Sequence, residues 1–269
     1  MHLGDARPAM TIDDAAPTYY LSLGDSLAVG VQPIGREESQ FRTDEGYADQ
    51  LASIARLVLP SLLTVNLGYP GESTTTMIDG GLTAYPHGSQ IEQAVAFLRE
   101  HRGSVEFVTL DIGLNDMPAY TLESIPVGLA SISRNLPGIL CRLQEAAGPQ
   151  VPIVGMTTYD PFLTMWLLGP EGQAIARSSV WDAVVPINAH LREIYRAAGL
   201  RLADVQGIFR TTDFDTVVEL PNVGPVPVNV ALACQWTWGA APPPLGPDFH
   251  ANALGYRAIA EAFAAVLLP

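Results

Sequence analysis

No lysine occurs among the 269 residues: all 14 basic side chains are arginines, set against 28 acidic ones for a formal net charge of -14. A surface so short of positive charge repels phosphate backbones and anionic headgroups, which argues against nucleic acid and against an anionic membrane as partners. No apolar run reaches the roughly 20 residues needed to cross a bilayer. Cysteine is scarce as well. Cys141 and Cys234 stand apart from any Cys/His cluster with metal-ligand spacing, so no metal centre is expected. Buried thiols are the plain expectation, with a Cys141–Cys234 disulfide left open. The start, MHLGDARPAMTIDDAAPTYY, has no charged leader ahead of an apolar stretch, so no signal peptide is visible. Residues 1–17 read as a loose arm. The location is then either cytoplasmic or, with that arm as the trimmed remnant of a longer precursor, extracellular.

What the chain has is apolar content, 48% of it, enough for one large core. Five short runs rich in β-branched and aromatic residues read as strands: 18–24, 63–69, 105–113, 151–159 and 200–205. They are apolar on both faces, as strands of a covered parallel sheet are. Helical patterns separate them. Tyr47, Leu51, Ile54 and Val58 form one stripe; Ile91, Val95 and Leu98 form another, opened by Ser89 and Glu92 in capping-box register. Further helices are expected after Tyr120, bent or divided at Pro137, from about 174 to 198, and from about 253 to 267. The alternation predicts a single α/β domain over 18–269, a three-layer αβα sandwich around five parallel strands. One stretch departs from it: residues 207–247 are proline-rich with few helical signals and read as an irregular loop insertion near the site.

Polar chemistry collects where strands end. The first strand runs into LGDSLAVG with Ser26, the second into NLGYPGEST with Gly71, and the third into DIGLNDM with Asn115. In open α/β sheets that rim is where ligands bind. Near the C-terminus, GPDFHANALGY supplies His250 just before the last helix. Each feature alone is ordinary turn or capping chemistry; together they put a hydroxyl, a glycine N–H, an amide and an imidazole toward one edge. The other histidines read as structural: His2 in the arm, His87 in a Pro/Gly turn, His101 at a helix end and His190 within a helix.

The ordered blocks GDSL (24–27), GYPGES (68–73), GLND (113–116) and DFHANALGY (248–256) resemble those of the SGNH, or GDSL, hydrolase superfamily, bacterial esterase/lipase branch. TTYDPF and RNLPGILCRL add to the likeness. The resemblance implies a flavodoxin-like SGNH hydrolase fold and a carboxylic ester hydrolase with no metal or organic cofactor. It implies Ser26 as nucleophile, His250 as general base, and an oxyanion hole formed by the Ser26 and Gly71 N–H groups and the Asn115 side chain. The chemistry agrees: a serine hydroxyl needs an adjacent base, and fixed donors stabilise the acyl oxyanion. Asp25 is expected to hold the nucleophile turn by backbone hydrogen bonds.

One position departs from the superfamily pattern. The acid ordinarily stands three residues before the histidine, where this chain has Pro247. Three arrangements stay open: Asp248 reaching the ring through a bent loop, a backbone carbonyl near Pro247 or a water, or a distant acid such as Asp204 or Asp213. Candidate substrate contacts are Tyr69, Met117, Tyr120, Phe162, Trp166, Trp236 and Trp238. If several line the site, a small-molecule ester with a short to medium apolar acyl group is expected. Thioesters, lysophospholipids and acetylated carbohydrates are alternatives at the same site, and a non-catalytic carbohydrate- or lipid-binding module is a rival of another class.

Overall fold

A computed structural model describes residues 16–33, 42–119 and 121–268. The arm lies outside the described residues up to position 15, and so does Tyr120. In chain order the elements are β1 (Thr18–Gly24), α1 (Tyr47–Ala55), β2 (Leu62–Asn66), α2 (Thr74–Asp79), α3 (Gln90–Glu100), β3 (Val105–Asp111), α4 (Ile125–Ala147), β4 (Ile153–Met156), α5 (Pro170–Ser178), α6 (Val185–Ala197), β5 (Arg201–Ala203), α7 (Val205–Ile208), β6 (Val217–Leu220), β7 (Gly224–Pro227), α8 (Val228–Trp236) and α9 (Ala253–Leu267).

The five expected strands form one parallel sheet in the order β2-β1-β3-β4-β5. Successive residues of β1 face opposite sides, and each side has its own core. Leu21 and Leu23 pack with Leu110, Ile132 and Leu140, whereas Tyr20 packs with Tyr47, Tyr256, Ile259 and Phe263. The first core belongs to α3, α4 and α6, the second to α1 and α9, giving three layers.

β1 has the expected bounds, whereas the other four strands end two to three residues before their apolar runs do, because the residues that follow leave the sheet to form loops on its carboxyl rim. The stripe on α1 ends early as well: the helix stops at Ala55 and Val58 is exposed. Ser89 accepts from the Glu92 N–H, but the reciprocal half of the expected capping box is missing because Glu92 instead pairs with Arg142, 2.6 Å away. A complete capping box occurs at Ser73 and Thr76, opening α2. Pro137 does not divide α4, which runs unbroken through it; Leu136, Ile139, Leu140 and Leu143 hold both halves in one core. The helix expected over 174–198 is two helices, α5 and α6, joined by one wide helical turn, Ser179–Val184.

The segment 207–247 is more ordered than its prolines suggest. It contains the β6–β7 hairpin, turning at Asn222 with φ 63°, and then α8. Pro225 and Pro227 are accommodated because a two-stranded ribbon leaves outward N–H positions that need no partner. Neither cysteine forms a disulfide. Contrary to the expectation of buried thiols, Cys141 is exposed on the outer side of α4. Cys234 is half-buried, and desolvation pushes its thiol up to about 11.

Candidate active site

In this strand order the connection after β1 runs to β2 on one side and that after β3 to β4 on the other, so the crevice between the ends of β1 and β3 is the topological switch point where ligands bind. Gly24 closes β1 with φ 137°, and a Cβ there would collide with the Asp111 carboxyl at the end of β3. Glycine therefore lets the two strand ends approach. Gln90, the first residue of α3, grips the same point from below, accepting from the Gly24 N–H at 2.7 Å and donating to the Gly24 carbonyl at 3.0 Å.

The next residues carry the chemistry. Asp25 is buried; its Oδ1 accepts the Leu27 N–H at 3.0 Å and lies 3.5 Å from the Ser26 hydroxyl. Its Oδ2 accepts from the Asn115 side-chain amide at 2.9 Å, and the same Nδ2 donates to the Glu72 carbonyl at 3.0 Å. Asn115 thus ties together the turns after β1, β2 and β3. Asp116 fixes its neighbour from the other side, accepting from the Thr74 N–H, the Thr74 hydroxyl and the Ser131 hydroxyl. Gly71 stands in the turn after β2 with φ 83°, a left-handed conformation that suits glycine.

Beneath this turn lies a pair of buried acids. Burial raises the Asp25 carboxyl above its ordinary range. Burial and then the charge of Asp25 raise Asp111 well above it. The Tyr47 hydroxyl donates to Asp111 Oδ1 at 2.7 Å. Glu72 is also raised by burial, and its Oε2 accepts from Gln90 at 3.0 Å.

His250 comes to the site by another route. Asp248 Oδ1 accepts both the His250 backbone N–H, at 2.9 Å, and the ring at Nδ1, at 2.7 Å. An Asx turn thus swings the carboxylate back onto the imidazole from two residues upstream. The loop is strapped at several points: Asp248 N–H donates to the Trp238 carbonyl, Trp238 N–H to the His250 carbonyl, and the Tyr159 hydroxyl to the Phe249 carbonyl. Asp204 and Asp213 lie elsewhere, paired with Arg192 and Arg210.

Ser26, Gly71, Asn115 and His250 line one cavity of about 540 Å³, together with Asp25. Its remaining wall is largely apolar, from Leu114, Ile125, Ile175, Val184 and Ile187. Of the expected substrate contacts, Met117 and Phe162 line it. Four do not. Tyr69 precedes the lining residues Pro70 and Gly71. Trp166 stacks on Phe214, under the guanidinium of Arg177. Trp236 packs edge-on to Phe209, and Trp238 donates its indole N–H to Gln32. One buried acid also borders the cavity: Asp160 accepts from the Phe162 N–H and the Ser179 hydroxyl, and burial pushes its carboxyl up to about 6.

The chain belongs to the GDSL-like lipase/acylhydrolase family, which it matches over residues 22–258, and this makes it a carboxylic ester hydrolase. A search of curated proteins gives no match. Among solved structures it is similar to an extracellular lipase from Streptomyces rimosus, at 17% identity over 92% of this chain and 99% of that one, with a TM-score of 0.56. It is also similar to the acetylxylan esterase Axe2 from Geobacillus stearothermophilus, at 15% identity over 94% of each chain, TM-score 0.56. At these identities the likeness is one of fold.

Proposed function

We propose that residues 18–269 form one hydrolase domain that cleaves esters of short to medium apolar acyl groups through an acyl-enzyme on Ser26. The observation that carries the reading is the 2.7 Å contact between Asp248 and His250 Nδ1 on the cavity that Ser26 lines. With Nδ1–H donated to the carboxylate, Nε2 is the ring's basic nitrogen. It takes the Ser26 proton as Oγ attacks the ester carbonyl, and returns that proton to the alkoxide as the tetrahedral intermediate collapses. Water repeats the sequence on the acyl-enzyme and releases the acid. The Asn115 amide serves the oxyanion by exchanging a hydrogen bond: a charged oxygen is a stronger acceptor than the neutral Glu72 carbonyl it now faces. The Gly71 and Ser26 N–H groups complete the hole.

The apolar wall favours an acyl chain over a sugar in the cavity, because a carbohydrate's hydroxyls would lose water there without replacement. The acidic surface disfavours phosphate-bearing lysophospholipids. Thioesters present the same carbonyl to the same machinery. The test is covalent labelling by an organophosphonate. The adduct is expected on Ser26 by mass spectrometry and is expected to be absent from Ser26→Ala; an intact, folded protein that takes no label overturns the proposal.

A further inference from the structure

Asp248 and His250 are both fastened to one residue ahead of them in the chain. The Trp238 carbonyl accepts from the Asp248 N–H at 3.2 Å, and the Trp238 backbone N–H donates to the His250 carbonyl at 3.0 Å. Beside this clamp Thr237 and Ala251 form an isolated antiparallel bridge, and neither residue belongs to a strand. Where the Trp238 backbone sits therefore decides where the acid and the imidazole sit.

The Trp238 side chain reaches toward the other half of the site. Trp166 and Trp236 pack ring against ring, whereas Trp238 Nε1–H donates to Gln32 Oε1 at 3.2 Å. Gln32 follows Ser26 by six residues and is only 2% exposed. Its Nε2 donates to Glu45 at 3.0 Å and to Thr43 at 3.2 Å, which sets the amide with its oxygen toward the indole. The Thr43 hydroxyl in turn donates to the Gly30 carbonyl at 2.7 Å, and the Val31 N–H to the Ser26 carbonyl at 3.0 Å. The turn bearing the hydroxyl thus holds Gln32, Gln32 holds the indole, and the Trp238 backbone holds the segment bearing the imidazole.

We infer that Trp238 is a positioning residue: its hydrogen bond to Gln32 sets His250 Nε2 against Ser26 Oγ from outside the cavity, without touching substrate. The role rests on the Ser26–His250 reading above. Misplacing a reacting group by about 1 Å can lower a rate about 100-fold, so a link remote from the ester can still govern kcat. Trp238→Phe keeps a ring and removes the N–H; Gln32→Met keeps the length and removes the acceptor. Each is expected to lower kcat for p-nitrophenyl butyrate about 10- to 100-fold with KM little changed. The double variant is expected to lose no more than either single one, because both break the same link. The loss is expected to be equal for acetyl and octanoyl esters, since the indole does not line the cavity.

Titration with an organophosphonate separates positioning from folding. Every molecule of each variant is expected to take the label, more slowly than wild type, so that turnover per labelled site falls. The positioning role is overturned by undiminished turnover in either variant, by losses that multiply in the double variant, by a loss that depends on acyl length, or by a smaller labelled fraction with normal turnover per site. If Trp238→Phe does not fold, Gln32→Met decides by its kcat, its acyl-length profile and its labelled fraction. A wild-type protein that takes no label overturns the hydrolase reading and the positioning role together. A wild type that labels, beside variants of full activity, overturns the positioning role alone.

Discussion

The cavity has two walls built on different principles. The wall at the ends of β1, β2 and β3 is polar and cross-linked: Asn115 bridges three turns, and Gln90, Tyr47 and Asp116 hold those turns from behind. Opposite it, residues 122–125 and 161–187 contribute mostly apolar side chains, held by packing. Groups that must meet a developing charge need fixed positions, which buried hydrogen bonds supply. A surface that receives acyl chains needs volume and low polarity, and packing alone provides these. Reaction and selectivity are therefore separable, and substitutions in each wall should leave different kinetic signatures.

The largest effects belong to the polar wall. Ser26→Ala and His250→Ala should each lower kcat by about 10⁴–10⁶-fold, since nucleophile and base act as a unit; a loss under about tenfold in a folded variant would break the assignment. Asp248→Asn should cost about 10³–10⁴-fold in kcat with KM little changed, because the amide no longer holds the ring in the right tautomer. Near-normal turnover would hand that role to a backbone carbonyl. Asn115→Ala should lower kcat about 10²–10³-fold, the range for one lost oxyanion donor. In the apolar wall, Ala183→Phe should instead cut kcat/KM about 10- to 100-fold for octanoyl esters while sparing acetyl esters, since filling volume discriminates by chain length. Equal losses for both would show that the walls are not separable.

The smallest effect is one of stability. Burial raises Asp160 from 3.8 to about 6, so between those values the folded chain binds more protons than the unfolded one. Stability should fall as pH rises through that window, by about 3 kcal/mol in all. Asp160→Asn should flatten that part of the urea-midpoint curve and leave kcat unchanged.

Much of the polar wall was legible because its residues follow strands, and strand ends announce themselves by apolar runs stopping at glycine-rich turns. Ser26, Gly71 and Asn115 were singled out that way, whereas His250, ahead of the last helix, was singled out by the DFHANALGY block. Asp248 remained one of three options because its role depends on a turn that folds the carboxylate back over two residues, and spacing does not reveal turn geometry. Asp111 and Tyr47 were not anticipated: each looks like an ordinary core position, and their meeting depends on Gly24 letting two strand ends close up. The apolar wall was read least well. Tyr69, Trp166, Trp236 and Trp238 were chosen for being aromatic and near the rim in sequence, but an aromatic ring gives no sign of which neighbour it will pack against. Leu122, Ile175 and Ile187 looked like any other helical apolar residues.

The last helix is bound to the beginning of the chain. The Tyr256 hydroxyl donates to the Val31 carbonyl at 2.7 Å, Gln50 donates to the Ala253 carbonyl, and Tyr47 stacks on Phe263. During synthesis the seryl hydroxyl leaves the ribosome some two hundred residues before the imidazole that would activate it. On the proposed mechanism the nascent polypeptide gains activity only when the segment bearing His250 docks, and recovered turnover after dilution from denaturant should lag behind the first appearance of secondary structure.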